Sequence, residues 1–309
     1  QEDDTVSNLK PKPIPTDYSF ENLFAPNTEY KYFENSSDHP FRFASNKFQM
    51  VNAWWLAEAS LLAYVRDDDF VRNSLAGAGL YNVEFFKKEG TQSFVAHNTD
   101  FIVVCFRGTE VDDVQDIVTD AKFILVDSEQ GGKVHMGFKD AVDLVWEDMK
   151  EYIENIKSDS GSGQTVWFTG HSLGAALAVI AADRYGDVHG VYTFGSPRAV
   201  DEDFVDDYYA CTYRFTNNND IVTMIPPPIL YRHVGMVKYI DGKGHIHDNP
   251  QKWYKKIDQF NGHFSHFINV LGSWRTGAFD SIPSDNINDH APIYYVVKIW
   301  NNYIKDVKS

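Results

Sequence analysis

Apolar positions along this chain alternate between two periods. Over 138–156 the apolar residues Phe138, Ala141, Val142, Leu144, Val145, Met149 and Ile153 recur at the spacing of one helical face. The segments 49–65 and 293–307 also read as helices, and so does the Ala- and Leu-rich, proline-free stretch Leu173–Tyr185. Between them lie short runs of β-branched and aromatic residues, which favour strands. Such runs occupy 94–96 and 102–106, paired across Asn98-Thr99-Asp100, and then 165–169, 190–195 and 211–215. Strands that alternate with helices predict an α/β architecture, with a mostly parallel sheet flanked by helices. No internal repeat or low-complexity tract interrupts the pattern.

The first stretch, 1–45, breaks this rhythm. Pro11, Pro13, Pro15, Pro26 and Pro40 prevent regular elements there, while Tyr18, Phe20, Phe24, Tyr30, Tyr32 and Phe33 provide apolar surface. The expectation is an extended N-terminal arm docked on a single domain spanning 46–309. Single α/β domains of this size are common among enzymes.

Composition narrows the picture. At 43% hydrophobic and 15% aromatic residues, the chain can bury a substantial core, which excludes global disorder. No apolar run has the length of a membrane span. A formal charge of −16 disfavours nucleic acid and anionic bilayers, because an acidic surface repels phosphate. Cys105 and Cys211 sit in apolar, strand-like surroundings without metal-type spacing and read as buried free thiols. The start at Gln1-Glu2-Asp3-Asp4 suggests a processed chain and, with it, a secreted or extracytoplasmic location. Asn35-Ser36-Ser37 is a formal glycosylation sequon.

The chemistry concentrates at Gly170-His171-Ser172-Leu173-Gly174, a G-x-S-x-G between a strand and a helix. A serine squeezed into that turn is strained and projects its Oγ above the sheet, which marks Ser172 as a nucleophile. Helix-N-terminal N–H groups beside it favour developing negative charge.

The surroundings carry a resemblance. Residues 170–178 (GHSLGAALA) are similar to the nucleophile elbow of the class 3 lipases, the fungal-type α/β-hydrolases. Four further stretches resemble that family in the same order: 103–109 (VVCFRGT), 134–138 (VHMGF), 193–198 (TFGSPR), and Asn219-Asp220-Ile221-Val222 with Pro226-Pro227. The likeness runs from about Val51 to the C-terminus and implies the α/β-hydrolase fold. Thr223 departs from the family's usual proline before the Pro-Pro pair.

In such enzymes an acid and then a histidine follow the serine. Asp220 comes just after a strand-like run, where a loop at the sheet edge is expected, and the resemblance assigns the acid there. A turn-forming aspartate in Asn-Asn-Asn-Asp is the plainer alternative. Of the histidines beyond it, His290 precedes the last helix, and the resemblance makes Asp289-His290 the family's pattern. His263 and His266 have helical spacing, His233 reads as structural, and His245-Ile246-His247 lacks further metal ligands. No metal or cofactor is expected. The elbow makes the N–H of Leu173 one oxyanion donor, and the resemblance makes Thr109 the second, with a Gly-Thr strand end as its alternative. Arg107 is expected to pair with a carboxylate beneath the site.

Residues 111–121 place Val111, Val114, Ile117, Val118 and Ala121 on one helical face and aspartates on the other. They read either as a mobile lid or as a fixed helix. Aromatics of the segment before His290 (Trp253, Tyr254, Phe260, Phe264, Phe267, Trp274) line an acyl pocket or fill core. The implied activity is hydrolysis of lipid carboxylic esters. Triacylglycerol lipase stands ahead of phospholipase A1 and feruloyl-type esterase, and a non-catalytic lipase-like binding module is the alternative of another class.

Overall fold

The computed structural model describes residues 9–16, 28–108, 124–159, 163–248 and 289–308. Thr109, the 111–121 segment, His263, His266, the aromatics of 253–274, Tyr18, Phe20, Phe24 and the Gln1 start lie outside the described residues.

Helix α1 spans Met50–Leu62 and α2 spans Asp68–Gly77, whose first N–H groups are capped by the Asp67 carboxylate. Strands follow at β1 (Asn82–Lys88), β2 (Thr91–His97) and β3 (Phe101–Phe106), then a small hairpin of β4 (Leu125–Asp127) and β5 (Lys133–His135). The long α3 (Met136–Asp159) leads to β6 (Thr165–His171), α4 (Leu173–Tyr185) and β7 (Gly190–Phe194). After α5 (Glu202–Asp207) come β8 (Thr212–Asn217), a 3-10 turn (Ile221–Met224), β9 (Met236–Ile240), β10 (Ile246–Asp248) and the terminal α6 (Pro292–Lys308).

The eight-stranded sheet has the order β1-β2-β3-β6-β7-β8-β9-β10. Strands β3, β6, β7, β8 and β9 run parallel, while β1, β2 and β10 add antiparallel edges. This is the α/β-hydrolase fold. β1, β9 and β10 were not expected from the sequence. β1 mixes exposed and buried residues and β10 is largely exposed, so neither has the continuous apolar run that marks a central strand, whereas β9 is buried at four of its five positions but carries the cation Lys238 among them.

The period of two along each strand sorts the core into two layers. Val103, Cys105, Trp167, Tyr192, Phe194 and Phe215 pack with α1 and α6 on one face. Ile102, Val104, Phe106, Val166, Phe168 and Val191 pack with α3 and α4 on the other. Each large apolar side chain buried this way contributes about 1.5–3 kcal/mol, so a sheet covered on both faces holds its central strands rigidly. Cys105 is buried and Cys211 only half-buried, and both are free thiols. Burial pushes the Cys105 thiol pKa up, so it stays protonated. No helix among the described residues is long and apolar enough to cross a membrane.

Residues 9–16 lie along α6. Having no ladder of their own, their backbone groups take side-chain partners. Lys12 N–H donates to Asn301 Oδ1 at 2.8 Å and Lys12 C=O accepts from Asn301 Nδ2 at 3.0 Å. Trp300 Nε1 donates to Lys10 O at 3.2 Å and Tyr294 Oη to Pro15 O at 3.0 Å.

The same arm inserts a cation into the core. Glu58, fully buried in α1, accepts from Tyr30 Oη (2.8 Å), Trp54 Nε1 (3.0 Å), Lys12 Nζ (3.3 Å) and Phe33 N–H (3.3 Å). Burial raises the Glu58 pKa, and the Lys12 ammonium pulls it back. A raised carboxyl pKa contributes stability that is fully present below the unfolded value and is lost as pH rises through the folded one. Removing one partner strands the other, so Glu58→Ala is expected to lower unfolding free energy by about 3–5 kcal/mol at neutral pH. The double variant Lys12→Met/Glu58→Leu is expected to recover most of that loss. Urea denaturation of the parent, Lys12→Met, Glu58→Leu and the double variant measures the coupling, and strictly additive losses would contradict it.

Candidate active site

β6 ends at His171, and α4 begins at Leu173, leaving Ser172 to reverse the chain between them. Its backbone sits at φ 57° and ψ −130°, a region that costs a non-glycine residue of order 1–3 kcal/mol. The surroundings hold it there: Ser172 N–H donates to Phe194 O at 2.9 Å, at the end of β7. The turn packs against the end of β3, because a Cβ on Gly174 would lie 2.2 Å from Phe106 O. Leu173 is the first residue of α4, where a helix leaves N–H groups without internal acceptors.

The structure brings Ser172, Asp220 and His290 together. His290 Nε2 is 2.9 Å from Ser172 Oγ, and His290 Nδ1 is 2.9 and 3.0 Å from the two Asp220 oxygens. A carboxylate only accepts, so Nδ1 carries the proton and Nε2 is free to accept from the serine hydroxyl. All three are buried, Asp220 completely. The acid is held by more than the histidine. Val222 N–H donates to its Oδ1 at 3.0 Å, and Tyr295 Oη donates to its Oδ2 at 2.5 Å. Burial and the neighbouring Asp220 push the Tyr295 phenol pKa well up, which keeps it a donor. Thr223, the departure from the family pattern, uses its hydroxyl to donate to Asp220 O at 2.7 Å.

Beneath the array lies a second imidazole. Tyr64 Oη is 2.8 Å from His171 Nδ1, and His171 Nε2 is 2.6 Å from the backbone carbonyl of His290. Since a carbonyl only accepts, His171 Nε2 donates and Nδ1 accepts from the tyrosine. Burial, and then the adjacent His290, lower the His171 pKa well below the usual range. It stays neutral, with its ring centre 4.6 Å from that of His290. Neither Tyr64 nor Tyr295 carries a sequence signal. Tyr64 lies in the turn just after α1 and Tyr295 in α6, both within stretches whose apolar pattern predicts helix.

Gly195 closes the site from β7. Its φ is +61°, and a Cβ there would stand 2.8 Å from Asp220 Oδ2 and 3.1 Å from His290 Nδ1. Gly195→Ala is therefore expected to wedge acid from base and reduce turnover by roughly 10²-fold, with little change in KM. Steady-state kinetics with a soluble ester checks this, and parental kcat would show that the methyl is accommodated elsewhere.

The other singled-out side chains lie apart from this array. His233 Nε2 donates to Thr223 O at 2.8 Å, and burial with nearby Arg214 and Arg198 holds its pKa well below the usual range. His245 and His247 both reach Asp241, at 3.6 and 2.8 Å. Among the described residues, no group of three or more His, Cys, Asp or Glu side chains is disposed to hold a metal ion. Arg107 donates from Nη1 to the Gln92 side-chain amide oxygen at 2.6 Å, which β2 presents beside the end of β3.

The chain matches the class 3 lipase family model over residues 103–229. It is 32% identical over 166 residues to a secreted mono- and diacylglycerol lipase of Fusarium solani, covering 50% of this chain and 49% of that protein. It is 28% identical over 220 residues to a triacylglycerol lipase of Arabidopsis thaliana, covering 51% of this chain and 42% of that protein. The chain thus spans about half the length of these curated relatives. In fold it is similar to the Rhizomucor miehei triacylglyceride lipase, with a TM-score of 0.52 at 22% identity over 65% of this chain and 84% of that one. It is likewise similar to an MDLA variant from Penicillium cyclopium, with a TM-score of 0.53 at 21% identity over 81% of this chain and 95% of that one. The elbow and Asp220 fall within the matched residues 103–229, so over that stretch the chain is similar to the class 3 lipase family.

Proposed function

We propose that this protein hydrolyses carboxylic esters of lipids through an acyl-enzyme on Ser172. The observation that carries the reading is the continuous hydrogen-bonded array from Ser172 Oγ through His290 to Asp220, anchored on a strained strand-to-helix turn. In this reading His290 Nε2 takes the serine proton as Oγ attacks the ester carbonyl, and returns it to the leaving alkoxide. Asp220 orients the imidazole and stabilises its cation. Water then repeats the sequence on the acyl-enzyme and releases the fatty acid. The Leu173 N–H and Thr109 are the proposed oxyanion donors, since preplaced dipoles give the largest single catalytic term in many enzymes. No step calls for a metal or organic cofactor.

Neutral acylglycerols are the proposed substrates. Relatives named for mono-, di- and triacylglycerols support this class, and a net charge of −16 disfavours anionic phospholipid surfaces. We further infer that the protein acts outside the cell, as relatives named as secreted do.

Hydrolysis of p-nitrophenyl esters of graded acyl length, beside mono-, di- and triacylglycerol, phospholipid and feruloyl ester, tests the assignment. The expected result is turnover of acylglycerols above phospholipid and feruloyl ester, with labelling of Ser172 by a fluorophosphonate. Preferred cleavage of phospholipid or feruloyl ester would replace the substrate class. Neither labelling nor turnover would leave a lipase-like binding module.

A further inference from the structure

Asp220 and His290 belong to segments 70 residues apart in sequence. His290 itself lies in a turn, with no helix or strand ladder to fix it. Something else must set its place, and a buried polar network does so. Asn217, the last residue of β8, donates from Nδ2 to the backbone carbonyl of Asp289 at 2.7 Å. Its own N–H donates to Tyr295 Oη at 3.1 Å, and its Oδ1 accepts from Lys298 Nζ at 2.7 Å. The Asp289 carboxylate accepts from Asn218 Nδ2 at 2.9 Å and Asn219 N–H at 3.2 Å, and its other oxygen is 3.5 Å from Lys298 Nζ. Asn217, Asp289 and Lys298 are all buried.

We propose that Asn217, Asp289 and Lys298 are positioning residues, a latch that sets the segment carrying the base against the segment carrying the acid. The inference rests on the triad reading above. Two features argue for a role beyond holding the fold. A buried ammonium and carboxylate are costly, and apolar residues of the same size would stabilise the fold at least as well. The network also joins the residue just before His290 to the three residues just before Asp220, with Lys298 and Tyr295 of α6 bonded to it from the core side. Misplacing reacting groups by about 1 Å can cost on the order of 10² in rate, so a latch at this point acts on turnover.

Turnover of a soluble short-chain p-nitrophenyl ester, expressed as kcat per serine titrated with a fluorophosphonate, separates positioning from folding. Asn217→Leu is expected to lower that kcat by roughly 10–10²-fold with KM nearly unchanged. Asp289→Asn, which keeps an acceptor oxygen, is expected to fall less than Asp289→Leu. Should Asn217→Leu fail to fold, Asn218→Ala at a half-buried position removes one bond of the latch and is expected to lower kcat by roughly threefold or more. A parental kcat per titrated serine in Asn217→Leu, or in Asn218→Ala where that is the variant measured, overturns the latch even if the melting temperature drops. Ser172→Ala run beside them distinguishes the two failures. If it stays active, the triad reading falls and the latch with it; if it is inactive while the latch variants match the parent, the latch alone is wrong.

Discussion

Replacing Ser172 with alanine is expected to abolish nearly all ester hydrolysis, a loss of about 10⁶-fold in kcat, without unfolding the protein. The substitution removes only Oγ. It keeps the Cβ that already tolerates φ 57° and the N–H bond to Phe194 O that holds the turn. His290→Ala is expected to match it, because serine and histidine act as one unit, and the double variant should be scarcely worse than either. Melting curves alongside the rates distinguish chemistry from folding. Losses that multiplied in the double variant would mean that the two side chains act independently and would dismantle the proposed array.

Asp220→Asn is expected to cost about 10⁴-fold in kcat while KM changes little. Both oxygens of the acid are committed: Oδ1 to His290 and Val222 N–H, Oδ2 to His290 and Tyr295 Oη. An amide there presents a donor to His290 Nδ1, which then becomes an acceptor. The imidazole proton moves to Nε2, where it faces the serine hydroxyl and cannot receive its hydrogen. The imidazolium formed during attack also loses its counter-charge. A loss smaller than tenfold would move the role of acid elsewhere, and Asp289→Asn in the same assay would show whether the neighbouring buried carboxyl had taken it.

Local pattern made the α/β character and the order of the central elements readable before the structure. The run 101–106 is apolar at every position because β3 is covered on both faces, and 138–156 keeps helical spacing because only one side of α3 meets the sheet. Ser172 stood out because an elbow is itself a local object: a strand, a tight turn and a helix contiguous in the chain. Asp220 and His290 were reached by order along the chain and by resemblance, not by any property of the residues alone.

What surrounds those residues was decided only by tertiary structure. Tyr295 and Tyr64 read as core residues in apolar helices, and Asn217 as one of three asparagines in a turn. Hydropathy and periodicity report whether a side chain is buried, but not which partner it meets there. Tyr295 finds Asp220 because α6 packs on the sheet face beside α1, and Lys298, one turn further on, finds Asn217 for the same reason. Gly195 must be glycine because acid and base converge on its Cα from elements distant in sequence. Chain order thus determined which residues carry reactive groups, whereas the crossing of β7, β8 and α6 decided which of them are close enough to share a proton, since hydrogen bonding acts over about 3 Å of space irrespective of distance along the chain.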